Sequence, residues 1–347
     1  MTFPVTNLVT KNGTPHIESV RPSAALPGGE ISIAGSGFSG PTHLSPRVEI
    51  GDTEATLVLA GDSFLIARVP EGAEGSEVRV RAGEEQSGPG AITLGRKLAD
   101  NLHPVSNPAV DAEGSIFVTF SGQRGQRVPV PLYRVNDDRV SPVVMDLVNP
   151  TGLAFDRDGI LYISCRNDGT LHRVMPDGTS SQWVEGMGVA TGLAFDPVGN
   201  LYVGDRSGTI FKISRDRQIY VFATLEPSVA AYHLAFSAAG DLFVTGPTQS
   251  SFDRVWRITP EGEVHVFYRG LGRPQGMAFD IGGNLFVAAS LGGHRGIIRI
   301  SPSGQAELVL AGGGLVGVAL RDHLAVLATS SALYSLPWDV QGMPLFG

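Results

Sequence analysis

The chain has 347 residues, with 26 Lys plus Arg against 34 Asp plus Glu and a formal net charge of −8, a balance that leaves no basic footprint for nucleic acid. Its 45 glycines and 23 prolines, with only 17% charged residues, describe a turn-rich globular protein built from short strands. A single cysteine, Cys165, excludes an internal disulfide framework, and no run of about 18 apolar residues offers a membrane span.

Residues 1–14 read as a tail without the basic start and apolar core of a secretory signal. The expected compartment is the cytoplasm, or the extracellular or periplasmic space if the chain is a processed form. Residues 15–88, from "PHIESVRPSAALPGGEISIAGSGF" to "SEVRVRAG", alternate apolar and polar side chains between Gly and Pro turns. That pattern predicts a small β-sandwich, with "EEQSGPG" at 84–90 as the linker. Within it, "GSGFSG" (Gly35 to Gly40) matches the glycine spacing of a dinucleotide loop, but "PTHLSP" follows where a helix has to open. A turn is the expectation there.

From residue 89 to 340 the chain repeats itself. "PTGLAFDRDGILYIS" at 150–164 returns as "ATGLAFDPVGNLYVG" at 190–204, and the aligned residues are Asn107, Gly152, Gly192, His233, Gly276 and Gly317. A period of about 40 residues marks a repeat architecture. Each copy carries an apolar run, a turn such as "DRDG", and three further short strands, which predicts one four-stranded propeller blade per copy. The sixth copy supplies three strands before "PWDVQGMPLFG", where prolines discourage another. The segment 92–102, "ITLGRKLADNL", is expected to close the ring as the outer strand of the last blade, leaving 341–347 as a tail. The predicted class is all-β: an immunoglobulin-like sandwich followed by a six-bladed propeller.

Two resemblances follow from these motifs. Residues 15–88, with "PGGEISIAGSGF" and "ARVPEGAEG", resemble the IPT/TIG immunoglobulin-like domains, which act as spacers, ligand-binding modules or dimerisation units. The propeller region, with its Ala-Phe-Asp, turn Gly and Leu-Tyr-Val sequence, is similar to the NHL-repeat and SMP-30/gluconolactonase group. The lactonase side of that group implies a divalent cation held by a Glu, two Asn and an Asp at the lead-ins to the innermost strands. Here the matching positions hold Ser106, Thr151, Thr191, Tyr232, Gln275 and Val316. None is a carboxylate, so the metal site is not carried over and no cofactor is expected.

The candidate binding residues therefore come from the lead-ins and the loops after the second strands. Tyr232 and His233, in "AAYHLAF", stand where neighbouring copies have small residues. They offer a phenol and an imidazole to the channel mouth, or they pack between blades. Arg166, Arg206, Arg254 and Arg295, with Arg124 and Arg127, lie in the loops between second and third strands. Such a ring suits an anionic ligand, unless the arginines pair locally with Asp168, Asp205 and Asp253. Cys165 falls on a strand and reads as a buried small side chain. The expected function is ligand or partner binding: a small anionic ligand such as a sugar acid or carboxylate, or a protein partner, bound with Ser106, Thr151, Thr191 and Gln275 at the mouth. The alternative is a lactonase-type hydrolase with an altered site.

Overall fold

A computed structural model of the chain describes residues 14–39, 45–136, 139–144 and 146–344, and every regular element among them is a β-strand. The chain divides by contact into two units, residues 1–94 and 95–347.

In the first unit, strand Glu30–Ser36 lies between His16–Arg21 and Phe64–Arg68, and Arg47–Ile50 lies between Thr53–Ala60 and Glu77–Ala82. Strict alternation decides which side chains go inside. Val78, Val80 and Ala82 are buried while Glu77, Arg79 and Arg81 between them are exposed, because successive side chains of a strand point to opposite faces. Gly35 is the last residue but one of strand Glu30–Ser36, where an added Cβ would run into His16 O and lie 2.7 Å from the Phe38 ring. The glycine there serves close packing and the turn that follows; Gly40 lies outside the described residues.

The second unit is a propeller. Five of its sheets are four-stranded and antiparallel, such as Pro150–Phe155, Leu161–Cys165, Thr170–Val174 and Ser180–Val184. The strands Met277–Phe279, Leu285–Leu291, His294–Ile300 and Ala306–Ala311 pair in the same consecutive order but belong to a six-stranded sheet. Six equal, self-contained blades are therefore not what the sheets show. The first strand of each run touches the first strand of the next, and Leu315–Arg321 returns to touch Ala109–Val110. Strand Arg96–Ala99 pairs antiparallel with Leu333–Pro337 and makes the fourth strand of the last sheet.

The repeat letters have local physical causes. The turn aspartate caps its own hairpin: Asp156 Oδ1 accepts from Ile160 N at 2.9 Å, and Asp196 Oδ1 from Asn200 N at 2.8 Å. Gly159 and Gly199 take the positive φ these turns need. The recurring Phe and Tyr lock neighbouring runs together edge-to-face, as Phe117–Phe155, Tyr162–Phe195, Tyr202–Phe236 and Phe243–Phe279, with ring centroids 4.9–5.3 Å apart. Each such pair adds about 0.5–1.5 kcal/mol beyond the area it buries. One copy cannot form the contact alone, which is why the motif recurs.

The aligned glycines have another role: they let the innermost strands meet. A Cβ on Gly192 would run into Tyr232 O and lie 3.0 Å from His233 Cα, and one on Gly317 would lie 2.6 Å from Asn107 Cα. Asn107, where the first copy lacks glycine, ties three runs together. Its Nδ2 donates to Met277 O at 2.8 Å and its Oδ1 accepts from Val318 N at 3.1 Å. The centre of the propeller is thereby narrowed to a hub. On the side of the Asp turns, a cavity of about 650 Å³ is lined by Leu153, Leu193, Leu234, Met277 and Val318, with Gln341–Pro344 along one wall. Met343 N donates to Phe279 O at 3.0 Å and holds that wall in place.

Candidate ligand-binding face of the propeller

The lead-ins to the innermost strands and the loops after the second strands share one end of the propeller, because they are hydrogen-bonded to each other. Arg166 N donates to Asn149 O at 3.1 Å, Arg206 N to Val189 O at 3.2 Å, and Ser330 N to Gly314 O at 2.9 Å. Asn149 adds a further tie, accepting from Gly125 N at 2.7 Å and donating to Gly122 O and Gln123 O at 2.9 Å.

Most of the lead-in side chains are consumed by the hub. Ser106 Oγ donates to Thr151 O, Thr151 Oγ1 to Asn149 O at 3.2 Å, and Thr191 Oγ1 to Gly204 O at 2.8 Å while accepting from Tyr232 N at 3.1 Å. All three residues are buried. The Gln275 side chain is partly exposed, and its backbone is fixed by Thr245 Oγ1 and Ala288 O. The Tyr232 phenol is buried and donates to Glu226 O. Burial first, then the charges of Glu226 and Asp205, hold its proton on. His233 is 2% exposed, and its Nε2 is buried without a partner. Burial pushes its pKa down to about 4, so the ring is neutral at pH 7. Neither ring is open to a ligand at the mouth. Cys165 is buried, and burial pushes its thiol up to about 12, far from the thiolate a nucleophile needs.

The arginines fall into three groups, and Arg127, of the first, is taken out of the expected ring by an ion pair with Asp146. Arg254 has a partner: its Nη1 lies 3.0 Å from Glu226 Oε2 and its guanidinium 5.2 Å from the Trp256 ring centroid. Arg166 instead reaches the loop that carries Arg124 and feels the charges of both Arg206 and Arg124. Arg166 is half-buried, its Nη2 donates to Gly122 O at 2.9 Å, and its Nε has no partner. Burial, then the charges of Arg206 and Arg124, lower its pKa. Arg124 and Arg206 are exposed, and Arg206 Nε reaches Ser228 O at 3.4 Å. Arg295, expected in a loop, is instead exposed in strand His294–Ile300, opposite Ser290, because the hairpin turns earlier, at Gly292 and Gly293. Among the described residues none of Arg124, Arg166, Arg206 and Arg295 forms an ion pair.

The nearby acids hold their own turns. Asp168 Oδ1 accepts from Thr170 Oγ1 at 2.8 Å, Asp205 Oδ1 from Val189 N at 2.8 Å, and Asp253 Oδ1 from Thr248 Oγ1 at 2.6 Å. Among the described residues no three His, Cys, Asp or Glu side chains converge as a metal site would require. Phe252, Trp256 and Arg269, which line a pocket with Arg254 and Asp253, were not singled out by the sequence reading. The signal for them was the longer, Ser- and Thr-rich loop "GPTQSSF" at 246–252.

No curated protein matches the sequence. The family model for the IPT/TIG domain matches residues 15–94. Among solved structures, the chain is similar to an auxiliary nutrient binding protein from Bacteroides thetaiotaomicron, with 12% identity and TM-score 0.55 over 93% of this chain and 98% of that one. It is also similar to a gluconolactonase from Xanthomonas campestris, with 16% identity and TM-score 0.57 over 70% of this chain and 88% of that one. A third likeness is to virginiamycin B lyase from Staphylococcus aureus, with 14% identity and TM-score 0.51 over 70% and 96%. At such identities the likeness carries the fold and not the chemistry.

Proposed function

We propose that the protein is a ligand-binding propeller, counted as six-bladed and of the NHL type, that takes a small carboxylate-bearing molecule on its loop face. The observation that carries this reading is Arg166, half-buried with its Nε unpartnered and its Nη2 on Gly122 O, two residues before Arg124, while the charges of Arg206 and Arg124 act on it and none of the three forms an ion pair among the described residues. Like charges held together cost free energy unless an anion completes the site. Planar guanidinium groups match a carboxylate through paired, charge-assisted hydrogen bonds. Hydrolysis by a bound cation needs convergent acids, and Asp168, Asp205 and Asp253 cap turns instead.

The test is thermal unfolding with added citrate or D-gluconate. A ligand that prefers the folded state raises the melting temperature according to its concentration over Kd. The wild-type protein should be stabilised, and the variant Arg124→Gln/Arg166→Gln/Arg206→Gln should not respond. An equal response of both proteins, or none from the wild type to either anion, overturns the reading.

A further inference from the structure

A second concave site lies on the run of strands that begins at His233, in a pocket of about 730 Å³. Its rim is the loop 246–252, which a relay of short hydrogen bonds holds in one conformation. Asp253 Oδ1 accepts from Thr248 N at 3.0 Å and from its Oγ1 at 2.6 Å. Thr248 Oγ1 accepts from Ser250 N at 3.0 Å, and Ser250 Oγ accepts from Phe252 N at 3.0 Å. The relay presents the Phe252 ring to solvent, 68% exposed.

Three groups in this pocket are left unmet. Phe252 is a large apolar ring left in water although its loop is hydrogen-bonded along its length. Asp253 is 2% exposed, yet its Oδ2 is buried with no hydrogen-bond partner, a state that buried acceptors avoid. Arg269 sits directly opposite Arg254 in the strand register, and like charges in that position repel. Glu226 answers Arg254, whereas Arg269 is exposed with no ion pair among the described residues.

From these three groups we infer that the pocket binds an acidic pyranose, a sugar of the uronic-acid type. The C–H face of a pyranose ring is apolar and flat enough to stack on Phe252. Its hydroxyls donate hydrogen bonds, which supplies Asp253 Oδ2 with the partner it lacks. Its ring carboxylate pairs with the Arg269 guanidinium and relieves the repulsion from Arg254. A neutral sugar leaves Arg269 unmet, and an aromatic carboxylate leaves Asp253 Oδ2 unmet. The inference rests on the reading of this face as ligand-binding, but the pocket shares no lining residue with the arginine trio.

Saturation-transfer difference NMR on the full chain tests it, with methyl β-D-glucuronide, methyl β-D-glucoside and benzoate as probes. The decisive background is the Arg124→Gln/Arg166→Gln/Arg206→Gln variant, in which the trio cannot hold an anion. The glucuronide should bind saturably in that background and in preference to the other two probes. Phe252→Ala should weaken it about two- to tenfold, and Arg269→Gln should abolish the preference over the glucoside. Both substituted side chains are exposed, so the fold is not at stake. Glucuronide binding that disappears with the trio refutes this pocket and leaves the trio reading standing. Equal binding of the glucoside or benzoate, or indifference to both Phe252→Ala and Arg269→Gln, also overturns it.

Discussion

Replacing His233 by Asn should remove a specific piece of the acid sensitivity of the propeller. His233 is buried with an unpartnered Nε2, and burial alone lowers its pKa from 6.5 to about 4. Between those two values the unfolded chain binds a proton that the folded chain does not. Stability is therefore complete above pH 6.5, falls as the pH drops toward 4, and has lost its full share below that. The loss is about 2 kcal/mol between pH 7 and pH 5, and about 3 kcal/mol once the pH is below 4. Asn is the choice because the first copy carries Asn107 at the aligned position, and Asn does not titrate. All three tryptophans, Trp183, Trp256 and Trp338, lie in the propeller unit, so their fluorescence follows its unfolding alone. At about 2–4 °C per kcal/mol for a unit of this size, the wild-type melting temperature should fall about 4–8 °C more than the variant's between pH 7 and pH 5. Contributions from carboxylates are common to both proteins and cancel in the comparison. Parallel losses in the two proteins would refute the assignment of a buried, neutral imidazole.

The hub glycines predict a steric cost. Gly192→Ala places a Cβ against Tyr232 O and His233 Cα, and the forced shift of backbone should cost about 1–3 kcal/mol. Gly313→Ala, which meets nothing within 4 Å, is the control, and equal melting of the two variants would count against a closed hub. The closing strand predicts a difference between truncations. Residues 95–347 should melt as a propeller, whereas residues 104–347 lose strand Arg96–Ala99 together with the buried Leu98 and Leu102. Removing those two leucines should cost about 3–6 kcal/mol and expose an edge strand that promotes aggregation. Identical melting and solubility of the two chains would show that the strand is dispensable.

What the sequence determined by itself was the repeat and the reason for it. The turn aspartates, the turn glycines and the aromatic pairs act within one copy or between adjacent copies. A period of about 40 residues therefore exposes them to reading along the chain. The alternation in the first domain was legible for the same reason, since Glu77–Ala82 sorts its side chains by the two-residue period of any strand. Convergence at the loop face was decided elsewhere. Arg166 and Arg254 stand at comparable places in their copies, yet Arg166 lies in a turn and feels the charges of Arg124 and Arg206, while Arg254 lies in strand Asp253–Ile258 and pairs with Glu226. That choice depends on loop length and on which neighbour each loop leans against. Tyr232 and His233 differ from their aligned residues in a way the sequence displayed, but their burial depends on how closely the innermost strands approach. Gly152, Gly192, Gly276 and Gly317 allow that approach, and Asn107 fixes it through Met277 and Val318. Period and alternation are properties of one strand or one copy, whereas the diameter of the hub belongs to all the copies packed together, and only the tertiary structure decides it.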